Sequence, residues 1–372
     1  MSNSFDSAQR RGETEIINWF KEHHSDKESY LYIVGMGFDS RMCDGIKTFL
    51  EAKIPFDLWK ISIDEGATSP SHDYKELSNR NHTYLNQLIK THNINVTEKR
   101  IIFWHNDGLD NRYVGEINAA KLIKQSEKEL NNYTSIILDI SALPQSVYLC
   151  MLNMIMNCCK QTKIYIMVNE NYRIDLNTKP IENEEFAHEM HGFTSPTEDM
   201  DSIIIWYPVL GEVNPELLKK HHEYLRSNTK RIDEICPIVP FPSVDAKRAD
   251  GIVKGYRKEL FSDWNVDKNN IIFASEKNPI RVCDVICDTS HQYIKVLKPL
   301  GNCKFVVSAI TSKLMSIGTL LAIYKLRLEG ANVSVLSVNN KGYRVDKNNS
   351  DTETINELTC VKIYLNQGGN EI

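Results

Sequence analysis

The chain has 372 residues, 41% apolar and 25% charged, the composition of a globular protein long enough to bury two cores. A formal net charge of -5 excludes a surface built to neutralise a nucleic-acid backbone, so a nucleic-acid polymer is not an expected partner, and only a local basic pocket stays open. The longest apolar run, Val147 to Met156, is far shorter than the roughly 20 residues of a membrane span. The leading MSNSFDSAQRRGETE has no apolar signal core, so a cytoplasmic location without membrane association is expected. Nine cysteines, with no CxxC pair, point to buried free thiols, and neither a metal nor a cofactor is expected.

Taken in order, Thr14 to His24 places Ile16, Ile17, Trp19 and Phe20 at helical spacing, an amphipathic helix for the first domain. YLYIVG at 30–35 is a buried strand, MGFDSR a turn into a helix ending near Ala52, and FDLWKISI at 56–63 the next strand. Residues 66–98 read as a polar loop holding one helix, Tyr74 to Thr91. IIFW at 101–104 is a third strand, HNDGLDNR a loop and Val114 to Leu130 a helix. The strand 136–140, its apolar helix, and KIYIMV at 163–168 complete a Rossmann-like βα sheet. Residues 171–201 have little periodicity and read as a long surface connection over the site.

In the second half, SIIIWYPVLG at 202–211 is a strand, Pro215 to Arg231 a helix, and EICPIVPFPSVDAKRADG a proline-rich loop carrying Arg248 and Asp250. A helix near Gly255 to Leu260 precedes the strand NIIFA at 270–274. The turn SEKNP then leads to a helix over 280–294. A strand at 305–308, the helix Leu314 to Leu328 and the strand 332–338 follow, with VKIYLNQ as an edge strand. The expected fold is therefore α/β, two tandem Rossmann-like parallel-sheet domains over 1–211 and 212–372. A repeat supports a pseudo-twofold relation: YIVGMGFDSRMCDGI at 32–46 aligns with IFASEKNPIRVCDVI at 272–286, and NYRID at 171–175 with GYRVD at 342–346.

Ligands of open parallel sheets sit off the carboxyl ends of the strands, so the strand-end turns supply the candidate site residues. Gly35 and Gly37 form an incomplete GxG turn, where absent side chains let the backbone approach a phosphate or simply turn tightly. Asp39 and Arg41 follow, and Asp64 stands where a ribose-binding acid belongs. Asp139 and Ser141 end a strand in DISALP, as ligand contacts or as a helix cap. Thr311, Ser312 and Lys313 put two hydroxyls and a cation at a helix start, a phosphate cradle or a capped helix with a solvated lysine. Asn278 lies in the matching turn of the preceding βα unit. Arg248 and Asp250 form a ligand clamp or a surface charge run. Asp39 and Asp139 are the candidates for a catalytic base or nucleophile. His188 and His191 are spaced for one helix face, and Cys43 is a thiol beside Arg41.

TSKLMS at 311–316, between a buried strand and a small-residue helix, resembles the turn of CRISPR-associated Rossmann-fold (CARF) sensors and the related SAVED domains. In that family a GGTK-x-M type turn contacts a nucleotide second messenger. Its Thr-Lys pair falls on Ser312 and Lys313 and its Met on Met315, while its glycines are replaced by Ile310 and Thr311, and the first half has Leu143 and Pro144 in place of Thr-Lys. The resemblance implies a sensor in prokaryotic antiviral defence with a separate effector protein as partner. The residues together predict binding of a nucleotide-like small molecule in a cleft shared by the halves. Phosphate would meet backbone amides, Lys313 and Arg41, and ribose or base would meet Asp39 and Asp139. The competing expectations are a nucleotide-processing hydrolase or transferase in the same cleft, and a protein-interaction scaffold with an inert core.

Overall fold

The structure, a computed structural model, describes residues 4–66, 69–106, 111–171, 178–195, 201–345 and 356–366. Two compact units divide the chain: one takes the residues up to Asn183 and those from Asn340 onward, the other is Glu184–Asn339. The second unit is thus an insertion in the first, and the divisions fall at 183/184 and 339/340 instead of at 211/212. The physical reason is strand pairing. The strand 202–211 belongs to the sheet of the second half, and the last strand returns to the sheet of the first.

The chain begins with β1 (Ser4–Arg11), α1 (Glu13–His23), β2 (Tyr30–Gly35), α2 (Asp44–Glu51), β3 (Asp57–Asp64), α3 (Lys75–His92) and β4 (Val96–Ile102). It continues with β5 (Trp104–Asn106), β6 (Asn111–Tyr113), α4 (Gly115–Gln125), α5 (Glu127–Leu130), β7 (Ser135–Asp139), α6 (Gln145–Cys158), β8 (Lys163–Glu170) and β9 (Thr178–Asn183). The inserted unit holds β10 (His188–Glu189), β11 (Ile203–Leu210), α7 (Pro215–Asn228), β12 (Glu234–Ile235), β13 (Ile238–Pro240) and α8 (Arg248–Gly255). It ends with β14 (Ile272–Ala274), α9 (Pro279–Leu297), β15 (Cys303–Ile310), α10 (Lys313–Leu328) and β16 (Asn332–Ser337), before β17 (Asn340–Val345) and β18 (Glu357–Asn366) rejoin the first unit.

The first sheet runs β1-β18-β8-β7-β2-β3-β4, and the second β10-β16-β15-β11-β13-β14. In each, five strands of the path are parallel and their chain order across the sheet is 3-2-1-4-5, the Rossmann order, with short β12 pairing parallel on β11 beside the path of the second; an antiparallel strand covers the fifth, β18 on β8 and β10 on β16. Both units are therefore Rossmann-like α/β domains, as expected. The sequence alignment of 32–46 with 272–286, however, sets β2, the central first strand, against β14, an edge. The strands at matching places are β2 and β11, and β7 and β15. Of the second repeated block, 172–175 lie outside the described residues, while 342–345 are part of β17.

Central strands are buried along their whole length, β2 over six residues and β11 over eight, which is why both read as unbroken apolar runs. Helix α1 packs Trp19 and Phe20 on Tyr165 of the first sheet at 5.8 and 4.9 Å, and Phe20 also meets Phe49 of α2 edge-on at 4.8 Å. In the inserted unit His222 of α7 stacks on Trp264 at 4.1 Å, with Trp206 of β11 beside them. Helices α9 and α10 approach closely at Gly318, where an added Cβ would lie 2.4 Å from the Pro279 carbonyl oxygen. Backbone cannot yield as a flexible side chain can, so Gly318→Ala is expected to destabilise the protein by about 1–3 kcal/mol in urea denaturation. An unchanged midpoint would mean that the helices separate freely.

Candidate functional site

Strand order fixes where a ligand site belongs. A 3-2-1-4-5 sheet reverses direction between its first and fourth strands, leaving a crevice beyond their carboxyl ends. That switch point lies between β2 and β7 in the first unit and between β11 and β15 in the inserted one. The turns singled out in the sequence after β2, β7 and β15 all border it.

In the first unit the switch point is closed by the protein's own groups. A Cβ on Gly35 would fall 2.4 Å from Leu143 Cδ2, so this glycine admits Leu143, whereas Gly37 faces open space. Asp39 caps the following turn, accepting from Arg41 N at 3.0 Å, and its carboxylate pairs with the Arg41 guanidinium at 2.7 Å. Arg41 is buried and also donates to the Asn169 carbonyl at 3.3 Å. Asp139 is fully buried, accepting from Tyr32 Oη at 2.7 Å and from Ser141 N at 2.9 Å, while Ser141 Oγ accepts from Asn169 N at 2.9 Å. Asp64 accepts from Gly66 N and pairs with Arg100, the backbone bond first and the guanidinium second holding its carboxyl below the usual range. Burial pushes the Cys43 thiol up to about 12, which removes it as a ready nucleophile.

The inserted unit presents three capped helix starts at the same edge, because α7, α9 and α10 each follow a parallel strand. Asn214 Oδ1 accepts from Leu217 N at 3.1 Å. Asn278 Oδ1 accepts from Ile280 N and Arg281 N at 3.1 and 3.2 Å. Ser312 Oγ accepts from Met315 N at 3.4 Å. Thr311 Oγ1 donates to Met315 Sδ at 3.2 Å, and half-buried Lys313 opens α10. Each capped start carries the partial positive charge of its helix. Gly211 makes the approach possible: a Cβ there would lie 2.6 Å from Thr311 Cα, and Gly211 N donates to Ile310 O at 2.7 Å.

Arg248 and Asp250 part company. The buried Arg248 guanidinium donates to Gly211 O at 3.1 Å and Glu212 Oε1 at 2.9 Å and lies 3.2 Å from Glu276 Oε1, tying the ends of β11 and β14 together; Asp250 is exposed. Gly211, Glu212 and Glu276 are the residues that reading the sequence missed. A glycine closing the run SIIIWYPVLG was the available signal, parallel to the glycine closing YLYIVG. His188 Nδ1 lies 3.7 Å from Glu184, and among the described residues no three His, Cys, Asp or Glu side chains cluster as metal ligands. No helix of the described residues is long and apolar enough to cross a membrane.

Fold and edge geometry define the class: a double Rossmann-like α/β protein, one domain inserted in the other, each with its switch point at the carboxyl edge. No family model and no curated protein matches the chain. Among solved structures it is similar to a protein of Listeria monocytogenes assigned as a UDP-N-acetylglucosamine 2-epimerase, with 8% identity, 82% of this chain and 89% of that one covered, and a TM-score of 0.25. An overlap that low carries no argument about fold or activity.

Proposed function

We propose that the protein binds a nucleotide or nucleotide-derived small molecule at the carboxyl edge of its Rossmann-like sheets and acts as a sensor or regulatory module. The observation that carries this reading is the β11/β15 switch point, where Gly211 lets the Thr311–Ser312 turn approach and Lys313 opens α10. A helix start with a lysine and two hydroxyls suits a phosphate. The resemblance of residues 311–316 to the CARF and SAVED turn favours a nucleotide second messenger in antiviral defence, read out by a separate effector protein. Binding ranks ahead of turnover, because Asp139 is sealed from solvent and Asp39 is held by Arg41, so neither is placed as a general base.

Calorimetry with mononucleotides and cyclic oligonucleotides tests the reading. Micromolar binding of at least one compound, weakened about tenfold or more by Lys313→Ala and with the compound recovered intact, is the expected outcome. Binding untouched by Lys313→Ala would move the phosphate site elsewhere, and conversion of the compound would make the protein an enzyme.

A further inference from the structure

The inserted sheet leaves two aromatic rings half in water beside its carboxyl edge. Phe241 directly follows β13 and Phe273 lies in β14; they are 50% and 53% exposed and meet edge-on with ring centroids 6.0 Å apart. Val244 of the same loop is exposed as well. Large apolar side chains left open together mark a surface that takes a partner.

The rings stand on a fixed loop. Phe241 N donates to Ala274 O at 2.7 Å, and Glu276 N donates to Pro242 O at 3.1 Å. Glu276 Oε2 accepts from Val244 N at 3.3 Å, and its other oxygen lies 3.2 Å from the Arg248 guanidinium. The turn after β14 therefore holds the loop that presents Phe241.

Strand register sets this pair against the Ser312 turn of the same sheet. Val209 of β11 lies opposite Ile238 of β13 on one side and opposite Ala309 of β15 on the other. Phe241 and Ser312 each stand three residues past those partners, level with each other, and Glu212 stands three past Val209 between them. Two strand spacings separate the outer pair, about 10 Å, a distance that one nucleoside phosphate bridges. The exposed Glu212 side chain, which accepts from Arg248 Nη2 at 2.9 Å, falls at the level of the sugar, where a carboxylate can accept from a ribose hydroxyl.

We propose that Phe241 and Phe273 are the stacking platform for the base of a nucleotide whose phosphate sits on the Ser312–Lys313 turn. The proposal rests on the nucleotide reading and deepens it by placing the base. Every base has a π-face, so the pair supplies affinity without choosing among bases.

Calorimetry with AMP, GMP and ribose 5-phosphate separates base from phosphate. Both nucleotides are expected to bind about tenfold tighter than ribose 5-phosphate and within about threefold of each other. Phe241→Ala should reduce them to the level of ribose 5-phosphate and leave that compound unchanged, whereas Lys313→Ala should weaken all three. Phe241→Tyr, which keeps a π-face, should retain the gain that the aliphatic Phe241→Leu loses. Nucleotide binding that Lys313→Ala weakens and Phe241→Ala leaves alone would overturn the platform and keep the nucleotide reading. If none of the three compounds binds, that reading falls, and adenosine becomes the probe. Millimolar adenosine should then shift the ring-proton resonances of Phe241 and Phe273, and unshifted rings would overturn the platform too. A wild-type dimer in light scattering that Phe241→Ala splits would assign the rings to a second copy of the chain, with the same consequence.

Discussion

Lowering the pH from 7 to 5 is expected to destabilise the protein through two adjacent histidines of α7. His221 is 2% exposed, both its ring nitrogens lack partners among the described residues, and burial, with His188 second, depresses its pKa to about 3. Burial, with Arg226 second, depresses His222 to about 4. Between those values and the ordinary 6.5, the unfolded chain takes up protons that the folded chain refuses. The stability these groups contribute is therefore complete above pH 6.5 and is lost as pH falls below it. At pH 5 the loss from His221 alone is about 2 kcal/mol, and each refused proton adds about 1.4 kcal/mol per pH unit. Urea denaturation across this range should show the slope, and His221→Phe, which keeps the volume and removes the nitrogens, should remove more than half of it, because solvent screens half-buried His222. An identical slope in the variant would place the acid-sensitive groups elsewhere.

Asp139→Ala is expected to cost about 3 kcal/mol, because it strands two buried donors, the Tyr32 hydroxyl and the Ser141 N–H, at about 1–3 kcal/mol each. Tyr32→Phe removes one stranded donor in advance, so the double variant should be less destabilised than the sum of the single ones. Additive losses in a thermal or urea cycle would show that Asp139 and Tyr32 do not share a bond. Asp139 and Ser141, ligand contacts or a helix cap by sequence, anchor β7 to β2 and β8 through Tyr32 and Asn169.

Much of the architecture was legible where burial dictates pattern. β2, β7, β11 and β15 are largely buried apolar runs, and each is followed by a helix. The parts that were not legible lie at edges and among prolines. β4 opens with VTEKR, charges that an edge strand turns to solvent, so only its apolar end stood out. β13 hides in a proline-rich stretch: Ile238 and Val239 are wholly buried, but Pro237 precedes and Pro240 ends a strand of only three residues. β1 and β18 pair antiparallel with each other from opposite ends of the chain, a contact no local pattern announces, and β18 is internal to the sheet instead of at its edge. At the site, Ser312 and Asn278 appear as helix caps, as their residue types imply. Sequence shows a charge without its partner, which leaves Arg41 a ligand contact and Arg248 a ligand clamp or a surface charge; in the structure Asp39 pairs with the one and Glu212 and Glu276 with the other.

Native mass spectrometry of freshly purified protein, followed by denaturing extraction of anything bound, tests the central claim most directly. The account predicts a mass excess matching a nucleotide-derived compound, present in the wild type and lost in Lys313→Ala. A bare polypeptide mass that stays bare, with no shift in melting temperature across mononucleotides and cyclic oligonucleotides, would contradict it.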